Sequence, residues 1–304
     1  MSIYDEIERT TGIKRKSVSA KELLTIRIGG VLKNAFAPRS VKELARLLDE
    51  FEILGIKPFI LGGGSNVVAD DGEIETPVLL TKYIDGVRIE NGVAFCECGV
   101  KIADVLRLAR ERDLGGLEFL AGVPLTIGGA IKMNASAFGR QIFDLVERVF
   151  VLSRACEKRV CDERACATPL KVVEKKKDEI DFAYRKGADG IVVGTILRLD
   201  EISAGESKRL TQEFLRLRRE KQPIGLSVGS VFKNGEQPAG KLIEGCGLKG
   251  LKIGGAKISE KHANFIVNED GANASDFLAL VETCEREVAK KFNVQLEREF
   301  VWLK

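Results

Sequence analysis

The sequence predicts a soluble α+β protein, and three observations carry that prediction. Amphipathic helical stretches alternate with short β-rich apolar runs, glycine-rich turns follow several of those runs, and no apolar stretch reaches membrane-spanning length. With 304 residues, 44% hydrophobic and 31% charged, the chain has the size for two or three domains and a substantial core. Its 48 basic and 45 acidic residues are interspersed and leave a net charge of +3, so no strong field argues for nucleic-acid or membrane binding. The Lys175-Lys176-Lys177 run, flanked by Glu174 and Asp178, reads as a solvated loop or helix face. The segment Met1 to Glu6 does not read as a secretory signal, and a cytoplasmic protein is expected. Seven cysteines include the Cys96, Cys98 pair and the series Cys156, Cys161, Cys166. With one histidine and no established metal-ligand spacing, they read as reduced structural thiols, and no metal site is expected.

The elements follow in order. Val31 to Ala37 predicts a strand. Ser40 to Leu54 predicts a helix: Val41, Leu44, Leu47, Leu48, Phe51 and Leu54 share one face, Ser40 and Glu43 form a capping box, and Gly55 ends it. Lys57 to Leu61 predicts the next strand, which delivers Gly62-Gly63-Gly64-Ser65-Asn66 at a carboxyl end, where open α/β sheets place ligands. Val67 to Gly72 then reads as a short strand running into a turn, whereas a dinucleotide or Walker loop passes directly into a helix. From Glu75 to about Leu199, the runs at Val78, Val93, Val149 and Ile191 frame a helix from Ile102 to Arg112 that ends before Gly115-Gly116. Ala204 to Arg219 predicts a connecting helix with Leu210, Phe214 and Leu217 on one face. A smaller α+β unit follows, with a helix at Ala239 to Glu244 and a long one at Ser275 to Phe292 whose core stripe is Phe277, Leu280, Val281, Cys284 and Val288. The expected division is 1–80, 81–203 and 204–304, with no internal repeat.

Two glycine-rich segments point to one ligand. A turn lacking Cβ atoms can take positive φ and aim several backbone N–H groups at one anion, and Ser65 and Asn66 add side-chain donors. The second segment, Gly122 to Asn134, carries Gly128-Gly129 before Met133-Asn134. Together they read as two walls around a phosphate-bearing cofactor.

Nine motifs then occur in order: TIRIGG (Thr25 to Gly30), LGGGSN (Leu61 to Asn66), GLEFLAGVPLTIGGAIKMNASAFG (Gly116 to Gly139), FAYR (Phe182 to Arg185), RREKQP (Arg218 to Pro223), GSVFKN (Gly229 to Asn234), AGKLIEGCGLKG (Ala239 to Gly250), IGGAKISEKHANFIVN (Ile253 to Asn268) and LEREF (Leu296 to Phe300). From Thr25 to Phe300 the chain resembles the UDP-N-acetylenolpyruvoylglucosamine reductase family, flavoenzymes of bacterial peptidoglycan precursor synthesis. The resemblance implies an FAD-binding fold of the vanillyl-alcohol-oxidase type, made of two α+β subdomains, followed by a C-terminal α+β substrate domain. It implies non-covalent FAD held by Leu61, Gly62, Gly63, Gly64, Ser65, Asn66, Gly122, Thr126, Gly128, Gly129, Asn134 and Ala135.

By the same resemblance, NADPH is the hydride donor and UDP-N-acetylglucosamine enolpyruvate the substrate. Arg185, Ser230 and Glu299 match the catalytic positions, and Tyr184, Arg218, Lys221 and Asn234 match positions that contact substrate or nicotinamide. The residue types suit the chemistry. Hydride addition to the enolpyruvyl double bond builds negative charge beside a carboxylate; a planar arginine fork stabilises it, Glu299 adds a hydrogen bond or orients the group, and Ser230 protonates the adjacent carbon. Taken without the resemblance, Arg185 reads as a surface ion-pair partner, Ser230 as a turn residue and Glu299 as part of a charged strand end. His262, the only histidine, is compatible with packing or with a substrate hydrogen bond.

The short interval from Arg185 to Ser230 matches the branch of the family without an extra tyrosine-bearing loop. Two segments depart from the family pattern: Pro124-Leu125 stands where Pro-Gly is usual, and Met133 to Gly139, with Ser136 and Phe138, stands where MNAGAYG is usual. A positive φ at position 125 would make its side chain crowd the flavin loop. The alternative functions are an FAD-dependent oxidase of the same superfamily and an FAD-binding paralogue with impaired catalysis.

Overall fold

The structure is a computed structural model that describes residues 2–154 and 170–304, so the Cys156, Cys161, Cys166 series lies outside the described residues. The chain forms two compact units. One comprises Met1–Lys16, Asn34–Gly62 and Pro77–Thr211; the other comprises Ser17–Lys33, Gly63–Thr76 and Gln212–Lys304.

The first unit holds parallel pairing around the strand Val78–Leu80, which takes Ala35 and Phe36 on one side and the strand Phe59–Leu61 on the other. The strand ending in Leu61 is shorter than predicted, and the Phe59 N–H is taken by the Pro77 carbonyl at 2.8 Å. The helix Val41–Ile53 packs Leu44, Leu47, Leu48 and Phe51 into a core with Phe36, Leu79, Ile84 and Leu152, and the Phe36 and Phe51 rings meet edge to face at 5.5 Å. Ser40 caps it by accepting from the Glu43 N–H, and Gly55 follows its end at φ 66. The capping box is altered: the Glu43 carboxylate takes the N–H of Arg39 at 2.7 Å, one residue earlier than the pattern places it.

An antiparallel sheet completes this unit, in the order Leu170–Lys176, Val146–Arg154, Ile191–Arg198, Val93–Glu97, Val87–Glu90. The triple lysine lies on its edge strand and the following 3₁₀ turn Lys177–Glu179, not on a loop or helix face, and charge on an edge strand discourages pairing with another chain. The helix Ile102–Arg110 stops short of Arg112, and Asp113 turns the chain at φ 55 into the pair Leu114–Gly115 with Asp200–Glu201.

The helix Ala204–Lys221 differs most from expectation. Leu210, Phe214 and Leu217 are only half-buried, and Ser207 is the residue it buries. Ser207 is satisfied there: its hydroxyl donates to the buried Glu118 carboxylate at 2.7 Å, and Glu118 also accepts from the Gly116 N–H at 2.7 Å.

The second unit contains an antiparallel sheet ordered Leu226–Ser227, Ile266–Asn268, Ala256–Ile258, Lys252–Ile253. The helix Ala274–Phe292 buries the whole predicted stripe of Phe277, Leu280, Val281, Cys284 and Val288. Asn273 and Asp276 form its capping box, and the Asp71 carboxylate accepts from the Ala274 N–H at 3.0 Å. The strand Val67–Ala69, predicted after the glycine loop, pairs in parallel with Val301–Leu303. Among the described residues, no helix is long and apolar enough to cross a membrane, and no group of three or more His, Cys, Asp or Glu is placed to hold a metal ion.

Candidate active site

The first glycine segment leaves its strand at Leu61, whose carbonyl accepts from the Thr81 hydroxyl at 3.2 Å. Gly64 has φ 66, and a Cβ there would lie 2.3 Å from the Leu23 carbonyl oxygen, so only glycine fits this turn. The Gly64 carbonyl accepts from the Thr25 N–H at 3.0 Å, which leaves the loop's amides turned to other work. Among the described residues, no acceptor meets the N–H groups of Gly63, Gly64 or Ser65, as an anion nest requires. Asn66 closes the loop: its side-chain amide donates to the Glu299 carbonyl at 3.0 Å, and its own carbonyl accepts from Val301 at 2.9 Å.

The second segment begins at Gly122, with φ 80, and reaches Thr126, which is 3% exposed. A Cβ on Gly62 would sit 2.7 Å from the Thr126 hydroxyl, and one on Gly129 would sit 3.5 Å from it, so this hydroxyl stands between Gly62 and Gly129. It is buried, with no hydrogen-bond partner among the described residues. Gly128 is pressed against Cys98: its N–H donates to the Cys98 carbonyl at 2.8 Å, and a Cβ would lie 2.9 Å from that residue's own Cβ. Asn134, 1% exposed and at φ 42, donates its side-chain amide to Gln141 Oε1 at 2.8 Å and to the Ala183 carbonyl at 3.0 Å. Its Oδ1 is buried with no hydrogen-bond partner among the described residues, and Ala135 next in sequence is buried.

Two buried acceptors without partners among the described residues, one of them beside Gly62 and Gly129, cost free energy unless a polar ligand reaches them. A group carrying both phosphates and ring N–H or hydroxyl donors, as FAD does, fits this set. The concern over Leu125 is corrected: its φ is not positive. The isolated pairing of Lys101 with Thr126, and the bond from the Ile102 N–H to the Leu125 carbonyl at 3.1 Å, hold this stretch in a conformation that any residue adopts.

Arg185 lies on a tight turn. Ala183 and Lys186 exchange both backbone hydrogen bonds, at 2.9 and 3.0 Å, which puts Tyr184 and Arg185 at the tip. Arg185 has φ 57, a conformation usually left to glycine or asparagine at the third position of a turn. Its Nη1 donates to the Ser136 hydroxyl at 3.0 Å, and its guanidinium carbon lies 4.9 Å from the centre of the Tyr184 ring. The bond from Asn134 to Ala183 ties this turn to the second glycine segment.

In the second unit, the segments carrying Ser230 and Glu299 run side by side. The Glu299 N–H donates to the Val231 carbonyl at 2.8 Å, the Lys233 N–H to the Glu297 carbonyl at 2.8 Å, and Phe232 pairs with Arg298. Ser230 follows Gly229, at φ 81, and is half-buried, as is Glu299. Asn264 is a residue that motif reading passed over. Its side chain accepts from the Phe232 N–H at 2.9 Å and donates to the Phe232 carbonyl at 2.8 Å, fixing the strand beside Ser230. It is 2% exposed within SEKHAN, and the sequence carries no signal of that contact.

Asn234 is exposed and accepts from the Ala239 N–H at 3.1 Å. Arg218 donates to Gln222 at 3.3 Å, and burial lowers its pKa; Lys221 is exposed at the helix end. His262 Nδ1 accepts from the Asn264 N–H at 3.2 Å, the ring packs edge to face on Phe265 at 5.0 Å, and burial holds its pKa below 6.5. Those contacts show how the ring packs.

Comparison with known proteins matches residues 33–156 to the FAD binding domain model and residues 221–303 to the C-terminal domain model of UDP-N-acetylenolpyruvoylglucosamine reductase. The reductase of that name from Chloroherpeton thalassium is 37% identical over 98% of this chain and 96% of its own. The one from Borreliella burgdorferi is 32% identical over 96% of this chain and 95% of its own. The crystal structure of the Thermus caldophilus reductase superposes with a TM-score of 0.77 at 31% identity, covering 96% of this chain and all of that one.

Proposed function

The chain belongs to the UDP-N-acetylenolpyruvoylglucosamine reductase family, and from that premise we propose that it reduces UDP-N-acetylglucosamine enolpyruvate to UDP-N-acetylmuramate, using non-covalent FAD and NADPH, in peptidoglycan precursor synthesis. The observation that carries the reading is the pair of buried oxygens on Thr126, beside Gly62 and Gly129, and on Asn134, neither with a hydrogen-bond partner among the described residues, within a chain related over nearly its full length to named reductases. The oxidase and impaired-paralogue alternatives lack a comparable match, since the C-terminal reductase domain covers the segments of Ser230 and Glu299.

FAD, when bound, supplies the relay of hydride from NADPH to substrate. The chain's residues do the rest. Gly63, Gly64 and Ser65 would hold its diphosphate through their N–H groups, and Thr126 and Asn134 would supply buried acceptors to it. Arg185 stabilises the charge that grows on the enolpyruvyl carboxylate as hydride adds to the terminal carbon. Its rigid turn keeps a planar two-point grip available without reorganisation. Ser230 gives its proton to the ether-bearing carbon and is reprotonated from solvent, while Glu299 orients the acid or the carboxylate. Tyr184, Arg218, Lys221 and Asn234 contact the UDP-sugar or nicotinamide. In this reading residues 1–80 and 81–203 form the FAD-binding subdomains, 204–304 the substrate domain, and the enzyme works in the cytoplasm.

The test is product formation. Purified yellow protein, given NADPH and the enolpyruvyl substrate, yields a product two hydrogens heavier by mass spectrometry; protein that takes up no FAD, or a substrate recovered unchanged, overturns the reading.

A further inference from the structure

We infer that Ser136 is a positioning residue for Arg185, its hydroxyl holding the guanidinium in the orientation that receives charge from the substrate carboxylate; the inference rests on the function proposed above. Ser136 Oγ lies 3.0 Å from Arg185 Nη1. A hydroxyl accepts this bond without a charge of its own, so it fixes a direction while leaving the cation's field intact; a carboxylate there would cancel it.

Both ends of the contact are built rigidly. Ser136 and Ala137 pair antiparallel with Gln141 and Arg140 around a turn in which Phe138 has φ 53 and Gly139 φ 80. Arg185 sits at φ 57 on a turn closed by two backbone bonds. The single side-chain amide of Asn134 reaches both pieces, donating to Gln141, which pairs with Ser136, and to Ala183, which begins the arginine's turn. A non-glycine residue kept in the left-handed region persists only where its surroundings over-determine it, and such residues cluster at functional sites. Tyr184 stacks at 4.9 Å on the same guanidinium. Arginine has many rotamers, and a contact that selects one lowers the entropy lost when the carboxylate is gripped.

Ser136 therefore acts on one half-reaction only. Ser136→Ala is expected to keep its FAD and its rate of anaerobic bleaching by NADPH, while re-oxidation by UDP-N-acetylglucosamine enolpyruvate slows about tenfold, the loss of one hydrogen bond to a charged group. Ser136→Thr, which keeps the hydroxyl, restores the rate. In an Arg185→Lys background, Ser136→Ala costs less than twofold, because the partner it positions is gone. An unchanged re-oxidation rate in Ser136→Ala, equal slowing of both half-reactions, or the same tenfold cost in the Arg185→Lys background overturns the inference alone. Failure of the reduced wild-type protein to be re-oxidised by this substrate overturns the functional reading, and the inference with it.

Discussion

The side-chain amide of Asn66 donates to the main-chain carbonyl of Glu299 at 3.0 Å, across 233 residues of sequence. The N–H of the same Glu299 donates to the Val231 carbonyl at 2.8 Å, so one residue is held between the glycine loop and the segment carrying Ser230. Asn66→Asp replaces the donor with a carboxylate facing a carbonyl oxygen. It is expected to lower unfolding free energy by about 1–3 kcal/mol and to loosen FAD, measured by urea denaturation and flavin release. A denaturation midpoint equal to wild type would show that this contact contributes nothing.

Thr126 separates binding from folding. Its buried hydroxyl has no hydrogen-bond partner among the described residues. Thr126→Val is expected to leave the apoprotein as stable as wild type or more so, by up to ~1 kcal/mol, while weakening FAD at least fivefold. Titration of apoprotein with FAD, beside thermal melts of the same samples, checks both signs. Unchanged FAD affinity would remove Thr126 from the cofactor wall.

What the sequence made legible was whatever depends on local pattern. The helix Val41–Ile53 and the stripe of Phe277, Leu280, Val281, Cys284 and Val288 follow from periodicity, and the short strand at Val67 from its apolar run. Less legible was anything set by a distant partner. Ser207, on the same helix face as Leu210 and Phe214, is buried against Glu118, a partner remote in sequence. Asn264 and Ser136 take their importance from Phe232 and Arg185, contacts that no spacing in one sequence announces.

Leu125 gives a direct test of backbone adaptation. Since its φ is not positive, glycine relieves no strain there and adds unfolded-state entropy. Leu125→Gly is expected to leave FAD affinity unchanged or weaker and to lower stability by about 0.5–1 kcal/mol. Tighter FAD binding would show that the leucine side chain crowds the flavin.

Burial pushes the thiols of Cys96, Cys98 and Cys284 from 9.0 up to about 12. Unfolded chains release these protons near 9.0 and the folded protein keeps them to about 12, so the native state binds more protons in that window. Stability contributed by these groups is full below that window and falls as pH rises through it. Melting temperature should drop from pH 9 to pH 11, and iodoacetamide at pH 8.5 should label the three only after denaturation, as read by peptide mass mapping. Rapid labelling of native Cys96 or Cys98 would contradict their burial.

Ser230 is assigned to protonation of the substrate carbon, a step that NADPH-driven flavin bleaching does not contain. Ser230→Ala is expected to bleach at close to the wild-type rate and to slow re-oxidation by the enolpyruvyl substrate at least ~100-fold. Wild-type re-oxidation in this variant would move the proton donor elsewhere.

The central claim is tested most directly by anaerobic stopped-flow absorbance of the purified wild-type holoprotein. Addition of NADPH should bleach the flavin band, and subsequent addition of UDP-N-acetylglucosamine enolpyruvate should restore it with one equivalent of UDP-N-acetylmuramate formed per flavin. A reduced flavin that stays bleached with this substrate but recovers its colour when oxygen is admitted would contradict the account.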